Sequence, residues 1–206
     1  MGGPRIGVLA LQGGFQPHRD ALLRLGADAR EVRRVAELEA LDGLVIPGGE
    51  STTLLNLMED EGWFDGLRAL HAAGRPMLGT CAGAILLARC AIGPAQKSLG
   101  LLDATIERNA YGRQVDSFET VLDCPAAGGA FPAVFIRAPR FLHLGPDVEV
   151  LARIGDEPVV VRQDGVLLLT FHPELSGDDR IHRLFLDMVD GRRAQDAAAP
   201  GERSVA

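Results

Sequence analysis

The feature that most constrains this chain is the sequence Gly-Thr-Cys-Ala-Gly at residues 79–83. It lies between two short apolar runs, the pattern of a strand, a sharp turn and a helix. Gly-x-nucleophile-x-Gly is the nucleophile elbow, here with cysteine in place of serine. The pattern predicts that Cys81 stands at the carboxyl end of a strand, above a helix amino terminus that favours the thiolate. A buried cysteine after an ordinary βα turn is the alternative that the pentapeptide alone leaves open.

The composition supports one folded domain and excludes several classes of protein. The chain has 206 residues, of which 47% are hydrophobic and 24% charged, as expected of an α/β domain with a full core. The net charge of −7 argues against a nucleic-acid-binding protein, which normally presents a basic face. The apolar run at residues 6–11 is too short for a signal peptide or a membrane span. Three cysteines without a CxxC spacing favour a reducing cytoplasm over a disulfide framework or a zinc ribbon.

The first half of the chain alternates strand patterns with helical patterns, which predicts parallel βαβ units. Ligands of such sheets lie beyond the carboxyl ends of the strands. Three loops should converge there, at residues 12–14, 47–53 and 79–83. Ser51 or Thr52 is expected to cap the helix that follows the second loop. A first helix is predicted from apolar Ala21, Leu22 and Leu25 at helical spacing and ends at Gly26. The other predicted strands and helices of this half cover residues 6–11, 29–32, 44–46, 53–59, 63–73, 76–78 and 84–88.

The second half contains short β-rich runs between Gly, Pro and Asp turns, followed by one helix at residues 178–189 with a 3.6-residue apolar period. The runs cover residues 104–107, 117–122, 133–136, 148–154, 159–162 and 166–170. We therefore expect a single domain over residues 1–190, with an open, mostly parallel or mixed central sheet and helices on both faces. Residues 191–206 offer little to bury and are predicted to form a disordered tail.

A cysteine nucleophile needs a base, and the base needs an orienting partner. His172 is the best placed histidine, because it directly follows the apolar run at residues 166–170. In an extended chain, residues two apart point to the same side, so Glu174 can accept a proton from one nitrogen of His172 while the other faces Cys81. A structural histidine is the alternative for His172 alone, but Glu174 and the elbow together favour catalysis. No role is indicated by the spacing of the remaining histidines, His18, His71, His143 and His182.

Backbone amides are expected to form an oxyanion hole beside Cys81. One donor in elbow enzymes is the residue after the nucleophile, here Ala82. Gly48 and Gly49 are the natural source of the second donor, although a plain tight turn also explains them. Arg108 and Arg137 can bind a carboxylate through forked hydrogen bonds, but a surface arginine is the stronger interpretation of each taken singly.

No cofactor is predicted. The sequence has no His, Cys, Asp and Glu cluster at metal-ligand spacing, so no metal site is expected. It also has no GxGxxG pattern and no Walker pattern, so no nucleotide site is evident.

Taken together, these motifs resemble the glutaminase subunits of pyridoxal 5′-phosphate synthase, which are class I glutamine amidotransferases. The cysteine elbow and the His-Pro-Glu sequence are shared by all class I amidotransferases, whereas the sequences at residues 47–53 and 108–114 are more specific to the subfamily. One departure is Pro17, which stands where the family often has an acidic residue before the histidine. The matching segments are residues 11–13, 47–53, 79–83, 108–119, 135–139 and 171–175.

The resemblance implies a flavodoxin-like sheet and a triad of Cys81, His172 and Glu174 that hydrolyses L-glutamine to L-glutamate and ammonia. It implies that ammonia passes to a separate (β/α)₈ synthase subunit in a hetero-oligomeric complex for vitamin B6 synthesis, with no nucleic acid or membrane as partner. The residues that it implies for binding glutamine are Gly49, Glu50, Ser51, Arg108, Ile136 and Arg137.

Two alternatives stay open. The first is a glutaminase subunit of another amidotransferase, such as imidazole glycerol phosphate synthase, against which the sequence at residues 108–114 counts. The second is a non-catalytic amidotransferase-like module or a cysteine redox sensor. A sensor has no need of Glu174 two residues after His172, so the acidic residue argues against it.

Overall fold

The chain alternates strands and helices in its first half and forms mainly strands in its second half. The computed structural model describes residues 2–59, 61–108 and 117–198. Its helices are α1 (Phe15–Arg24), α2 (Ser51–Leu57), α3 (Trp63–Ala72), α4 (Ala82–Leu87) and α5 (Arg180–Ala198). Its strands are β1 (Arg5–Leu9), β2 (Asp28–Val32), β3 (Gly43–Ile46), β4 (Met77–Thr80), β5 (Ala88–Ile92), β6 (Leu102–Glu107), β7 (Phe118–Cys124), β8 (Gly129–Phe135), β9 (Arg140–Leu144), β10 (Glu149–Ile154), β11 (Glu157–Gln163) and β12 (Val166–Leu169). Short 3₁₀ turns cover Val35–Ala40, Pro125–Ala127 and Pro173–Leu175.

Seven strands form the central sheet in the order β10–β11–β12–β4–β3–β1–β2. The five strands from β12 to β2 are parallel, and β11 and β10 extend the sheet antiparallel. This arrangement confirms the predicted α/β class. Strand β4 lies between β3 and β12, and its Leu78 is in register with Val45 on one side and Leu167 on the other. The loops that leave the carboxyl ends of these three strands therefore meet.

Both faces of the central sheet are covered, because side chains alternate along each buried strand. On β3, Val45 belongs to one core cluster, and Leu44 and Ile46 belong to the other. Residues of α1 and α5 complete the first cluster, and residues of α2, α3 and α4 complete the second. A strand buried on both faces needs a continuous apolar run, which is why these strands were predicted correctly. None of the described helices is long and apolar enough to cross a membrane.

Two smaller β-units pack against the layers. Strands β5, β6 and β9 form a three-stranded sheet on the second core, and β7 and β8 form an antiparallel hairpin on the first. In the hairpin, the Phe135 ring lies 4.8 Å from that of Phe118 and 5.2 Å from that of Phe171. The backbone N–H of His172 donates to the Val134 carbonyl at 2.8 Å. These contacts hold the hairpin against the segment that carries His172.

The structure departs from the predicted elements on either side of β6. Residues 84–88 were expected to be helical, but α4 ends at Leu87 and Ala88 is already extended, with φ −61° and ψ 159°. Strand β5 then pairs parallel with β6, and β9, which was not predicted, pairs antiparallel with it. Neither β5 nor β9 shows a regular two-residue alternation of buried and exposed residues. Their strand signal is therefore weak, and pairing with β6 decides their conformation.

The last helix is longer than predicted, and the expectation of a disordered segment from residue 191 is wrong for residues 191–198. Helix α5 continues to Ala198. Asp196 pairs with Arg75 at 2.7 Å and with Arg192 at 3.0 Å, and Arg192 also donates to the Ala73 carbonyl. Exposed ion pairs contribute little individually, but alanine, arginine and glutamine are good helix formers and continue a helix that is already docked. Residues 199–206 lie outside the described part of the chain.

Candidate active site

Cys81 directly follows β4 and occupies the strained turn that the sequence predicts. Its φ of 49° and ψ of −103° are unusual for a residue with a side chain, and such strain is commonly found at functional sites. A Cβ on Gly79 would lie 2.8 Å from the Gly83 carbonyl group, and a Cβ on Gly83 would collide with the Ile46 carbonyl oxygen. Both glycines of the elbow are therefore required by backbone packing. The Cys81 N–H donates to the Leu169 carbonyl of β12 at 2.9 Å, which fixes the elbow beside the strand leading to His172.

His172 and Glu174 lie side by side, as predicted, with Nδ1 of His172 2.8 Å from Oε1 of Glu174. The local conformation differs from the extended one that was expected. Pro173–Leu175 forms a 3₁₀ turn with proline in its first position, and this turn folds the Glu174 carboxyl group back onto the imidazole. The Glu174 side chain is 3% exposed, so its carboxylate is buried beneath the His172 ring.

Cys81 and His172 meet above Gly48. A Cβ on Gly48 would collide with Cε1 of the His172 ring and would lie 3.4 Å from the Cβ of Cys81. The Cys81 side chain is close enough to His172 to raise the pKa of its imidazole. Strands β3 and β12 flank β4, and this neighbourhood brings the thiol, the imidazole and the glycine loop together.

The electrostatics of the buried groups favour a charged imidazole beside the Glu174 carboxylate. Burial lowers the pKa of His172, but hydrogen bonds to Cys81 and Glu174 outweigh burial and raise the pKa to about 10. Burial raises the pKa of Glu174, but His18 and His172 hold it well below its usual range. An imidazolium beside a thiol stabilises the thiolate, which is the nucleophilic form of cysteine. The arrangement can therefore attack an electrophilic carbon and supply a proton to a leaving group.

A pocket of about 290 Å³ opens in front of Cys81 and His172. All six residues that were predicted to bind glutamine border it. Gly48, Ala82 and Glu174 are not among the residues that line it. The complete lining is Gly49, Glu50, Ser51, Cys81, Ile85, Arg108, Ile136, Arg137, Pro139 and His172.

One wall of the pocket is organised by Glu50, which corrects the predicted helix cap. The Glu50 carboxylate accepts from the backbone N–H groups of Thr52 at 3.1 Å and Thr53 at 2.7 Å, so Glu50 is the cap and α2 begins at Ser51. Arg108 donates to the Thr52 hydroxyl at 2.9 Å and lies 3.7 Å from the Glu50 carboxylate. Buried Ser51 donates to Oε1 of Gln96 at 2.9 Å, a partner that the sequence did not indicate.

Two further lining residues directly follow strand β8. Ile136 is half-buried and Arg137 is exposed at the pocket, with a φ of 43° that is uncommon for a residue other than glycine. This conformation sends the Arg137 side chain out of the line of the strand. The remainder of the specific sequence at residues 109–114 lies outside the described residues.

Sequence reasoning missed a set of buried polar side chains behind Glu174. Nε2 of His18 lies 3.2 Å from Oε2 of Glu174 and 3.4 Å from the hydroxyl of Thr80, and Nδ1 of His18 lies 2.9 Å from Nε2 of His182. His18, Thr80 and His182 are fully buried. A spacing of 164 residues between the two histidines gives no local pattern. The available signal was that Ala21 and Leu22 follow His18 at helical spacing, which places His18 on the apolar face of α1.

A parallel sheet that presents a cysteine elbow, with a His–Glu pair from the neighbouring strand, has the architecture of a class I glutamine amidotransferase. Comparison with known proteins agrees with this class. The sequence model of the SNO glutamine amidotransferase family matches residues 8–191, and the chain belongs to that family.

Several relatives match nearly the whole chain. The pyridoxal 5′-phosphate synthase subunit PdxT of Deinococcus radiodurans is 53% identical over 194 residues, which cover 92% of this chain and 98% of that protein. A subunit of the same name from Thermus thermophilus is 55% identical over 186 residues, covering 89% and 97%. The crystal structure of a glutamine amidotransferase superposes with a TM-score of 0.85 at 52% identity, covering 90% of this chain and 98% of that one. The structure of PurLQS from Thermotoga maritima, with a TM-score of 0.70 and 19% identity over 90% of this chain and 98% of that one, shares the fold.

Proposed function

We propose that this protein hydrolyses L-glutamine to L-glutamate and ammonia at Cys81, and that the ammonia is used by the synthase subunit of pyridoxal 5′-phosphate synthase. The observation that carries the proposal is that Cys81, His172 and all six predicted glutamine-binding residues border one pocket, in a chain of the glutamine amidotransferase family. The partner is proposed from the relatives named as pyridoxal 5′-phosphate synthase subunits.

The chemistry begins with attack of the Cys81 thiolate on the side-chain amide carbon of glutamine. A C–S bond forms, and the amide oxygen becomes an oxyanion. The imidazolium of His172 then donates its proton to the departing nitrogen, so the C–N bond breaks and ammonia leaves a thioester. Neutral His172 next takes a proton from water, whose oxygen attacks the thioester carbon, and the C–S bond breaks to release glutamate and restore the thiolate. Glu174 holds the His172 ring in the orientation that both steps need.

Backbone amides next to the thiol stabilise the oxyanion. Ala82 is the first residue of α4, so its N–H is free of the intrahelical hydrogen bonds. The Gly48–Gly49 loop supplies the second donor, and Gly49 has a φ of 146° that is open mainly to glycine. Each such donor contributes roughly 10²–10³ in rate.

The charges that line the pocket match those of an amino acid. Glu50 offers a carboxylate to the α-ammonium group, and Arg108 and Arg137 offer guanidinium groups to the α-carboxylate. Ser51 and Ile136 also line the pocket. In this proposal, the side-chain amide of glutamine reaches the thiol of Cys81 when its α-groups are bound by Glu50, Arg108 and Arg137.

We place the complex in the cytoplasm. All three cysteines, Cys81, Cys90 and Cys124, carry no disulfide, and a nucleophilic thiol is preserved in a reducing compartment. The relatives that carry the name of a synthase subunit support a hetero-oligomer of this chain with its synthase.

The test is glutamine hydrolysis measured with and without the cognate synthase subunit. Cys81→Ala should abolish glutamate release, because Cys81 carries the only thiol among the described residues that line the pocket. Cys90→Ala is the matched control, since it removes an exposed thiol outside the pocket and should retain full activity. A Cys81→Ala protein that still releases glutamate in the presence of the synthase disproves the proposal.

A further inference from the structure

Behind the proposed triad lies a buried polar chain that the triad chemistry does not use. It leads from Glu174 to His18 on α1 and on to His182 on α5. Buried polar side chains cost free energy unless they are paired, so two adjacent buried histidines require an explanation. Both are fully buried, and their rings are tilted by 59° with centroids 5.1 Å apart.

The Glu174 carboxylate needs a second partner. His172 occupies Oε1, and at Oε2 the described residues provide only Nε2 of His18, at 3.2 Å. Oε2 has no hydrogen-bond partner among the described residues, and Nε2 of His18 lies within ion-pair distance of it. A buried carboxylate held on one oxygen alone would be free to rotate away from His172.

The partners of the two histidines indicate which ring nitrogen of each carries a proton. A carboxylate only accepts hydrogen bonds, so Nε2 of His18 must carry a proton. Neutral His18 then has a bare Nδ1, which accepts from the Nε2–H of His182 at 2.9 Å. The remaining nitrogen, Nδ1 of His182, is bare and has no partner among the described residues, which is tolerated better than a stranded N–H.

The opposite direction of the hydrogen bond, with His18 as donor to His182, is less favourable. If His18 carried two protons, Nε2 of His182 would have to accept, and Nδ1–H of His182 would be a buried donor without a partner in the described structure. The groups that face His182 are His18, Glu174, Asp179 and Arg24. Burial lowers the pKa of His182 to about 3, which agrees with a neutral ring.

We propose that His18 is a positioning residue of the glutaminase site, which aims the Glu174 carboxylate at His172, and that His182 sets the tautomer in which His18 can do so. This proposal rests on the function proposed above. It extends the chain of contacts to Cys81–His172–Glu174–His18–His182 and couples helices α1 and α5 to the thiol. His18 touches no substrate atom, so its effect should fall on the turnover step and not on glutamine binding.

The first test compares two substitutions of His18 in the complex with the synthase. His18→Leu removes the N–H that faces Glu174 and should lower kcat roughly 10- to 100-fold, with KM changed less than about 3-fold. His18→Gln places an amide N–H near the position of Nε2 and should recover most of the loss. Leu22→Val is the matched control: it trims a fully buried side chain on the same helix and should leave kcat unchanged.

The outcomes separate this proposal from the function on which it rests. An inactive Cys81→Ala protein together with a fully active His18→Leu protein would overturn the positioning role and leave the glutaminase intact. Equal losses in His18→Leu, His18→Gln and Leu22→Val would also overturn it, because packing alone would then explain them. Activity in Cys81→Ala would instead remove the proposed function itself.

The tautomer assignment has its own test, the ¹⁵N NMR spectrum of the histidine side chains in the intact protein. We expect His18 and His182 both as neutral rings protonated at Nε2. In His182→Leu, the fixed Nε2–H signal of His18 should be lost while His182→Gln retains it. A doubly protonated His18, or a His18 protonated only at Nδ1, overturns the role assigned to His182.

Discussion

The two sides of the Glu174 carboxylate present a contrast. Toward the pocket, His172 and Cys81 are close to each other in space and lie in short sequence patterns that name their chemistry. Away from the pocket, His18 and His182 are equally close to the carboxylate network but lie in helices at opposite ends of the chain. The first side is organised by loops at strand ends, and the second by the packing of α1 against α5.

The contrast teaches how a buried carboxylate can be kept ionised. On the pocket side, His172 supplies a hydrogen bond and a positive charge. The same residue is the base that the proposed reaction uses. On the buried side, the contact comes from a group that never meets substrate. Both lower the pKa of Glu174, and the sum outweighs the burial that raises it. Two supports from different directions leave the carboxylate one orientation, and that orientation faces His172.

The largest expected effect is on the pocket side. Glu174→Gln keeps the shape of the side chain but removes the charge that orients His172, so kcat for glutamine hydrolysis should fall by on the order of 10⁴, as it does when a triad acid becomes an amide. Steady-state assays of the complex measure it. Glu107→Gln, a half-buried glutamate at the end of β6, is the control. A loss below 10-fold would mean that the carboxylate does not orient the base.

A smaller loss should follow from filling the space between Cys81 and His172. The Cβ of Gly48→Ala would meet the His172 ring, which must shift together with the loop that offers the proposed oxyanion donor. We expect kcat to fall about 10²–10³-fold. Gly13→Ala, in the neighbouring first loop, adds its Cβ to open space and should retain activity. Equal activity of the two variants would place the oxyanion donor elsewhere.

On the buried side, the expected effect is on stability against acid. The pKa of His182 is lowered in the fold to about 3, against an ordinary 6.5, so the unfolded chain binds more protons below pH 6.5 and stability falls as pH falls. The limit is about 1.4 kcal/mol per pH unit for one group. His182→Gln does not titrate, and urea denaturation between pH 6.5 and 4.5 should show a shallower loss for it than for the wild type. Parallel curves for the two proteins would contradict a neutral buried His182.

At alkaline pH, stability should fall as pH rises, because His172 loses its proton there. Its pKa is raised to about 10, so its stabilising contribution is complete below pH 6.5 and is lost as pH rises from 6.5 to about 10. Maximum stability is therefore expected near pH 6.5. His172→Gln should flatten the alkaline limb in the same denaturation series, and an unchanged alkaline limb would show that the His172 charge does not stabilise the fold.

The smallest effect concerns the far end of α5, the helix that carries His182. Gly191 lies inside this helix, and a Cβ there would meet no atom within 4 Å. Gly191→Ala should raise the free energy of unfolding by about 0.5–1 kcal/mol, because alanine has the higher helix propensity. Gly2→Ala, outside any element and equally open, is the control. No gain for Gly191→Ala would mean that residues 191–198 contribute no stable helix in solution.

Most of the central sheet could be predicted because its strands are buried on both faces. Their continuous apolar runs at β1, β3, β4 and β12 stand out from the helices between them. Strands β5 and β9 could not be predicted in the same way, since their side chains are partly exposed and their partner β6 lies elsewhere in the chain. The far end of α5 was not predicted, because the prediction relied on buried apolar residues. Helix propensity and surface ion pairs continue this helix without burying apolar side chains.

The candidate site also has a part that local sequence predicts and a part that it does not. The sequence alone predicted the elbow at Cys81 and the pairing of His172 with Glu174, because each is set by a few consecutive residues at the end of a strand. The pocket residues were implied by the resemblance to the family. Only the tertiary structure decided that Gln96 supports Ser51 and that His18 and His182 stand behind the acid. These contacts join elements distant in sequence. Their partners are chosen by the packing of layers around the sheet, and no local pattern records that choice.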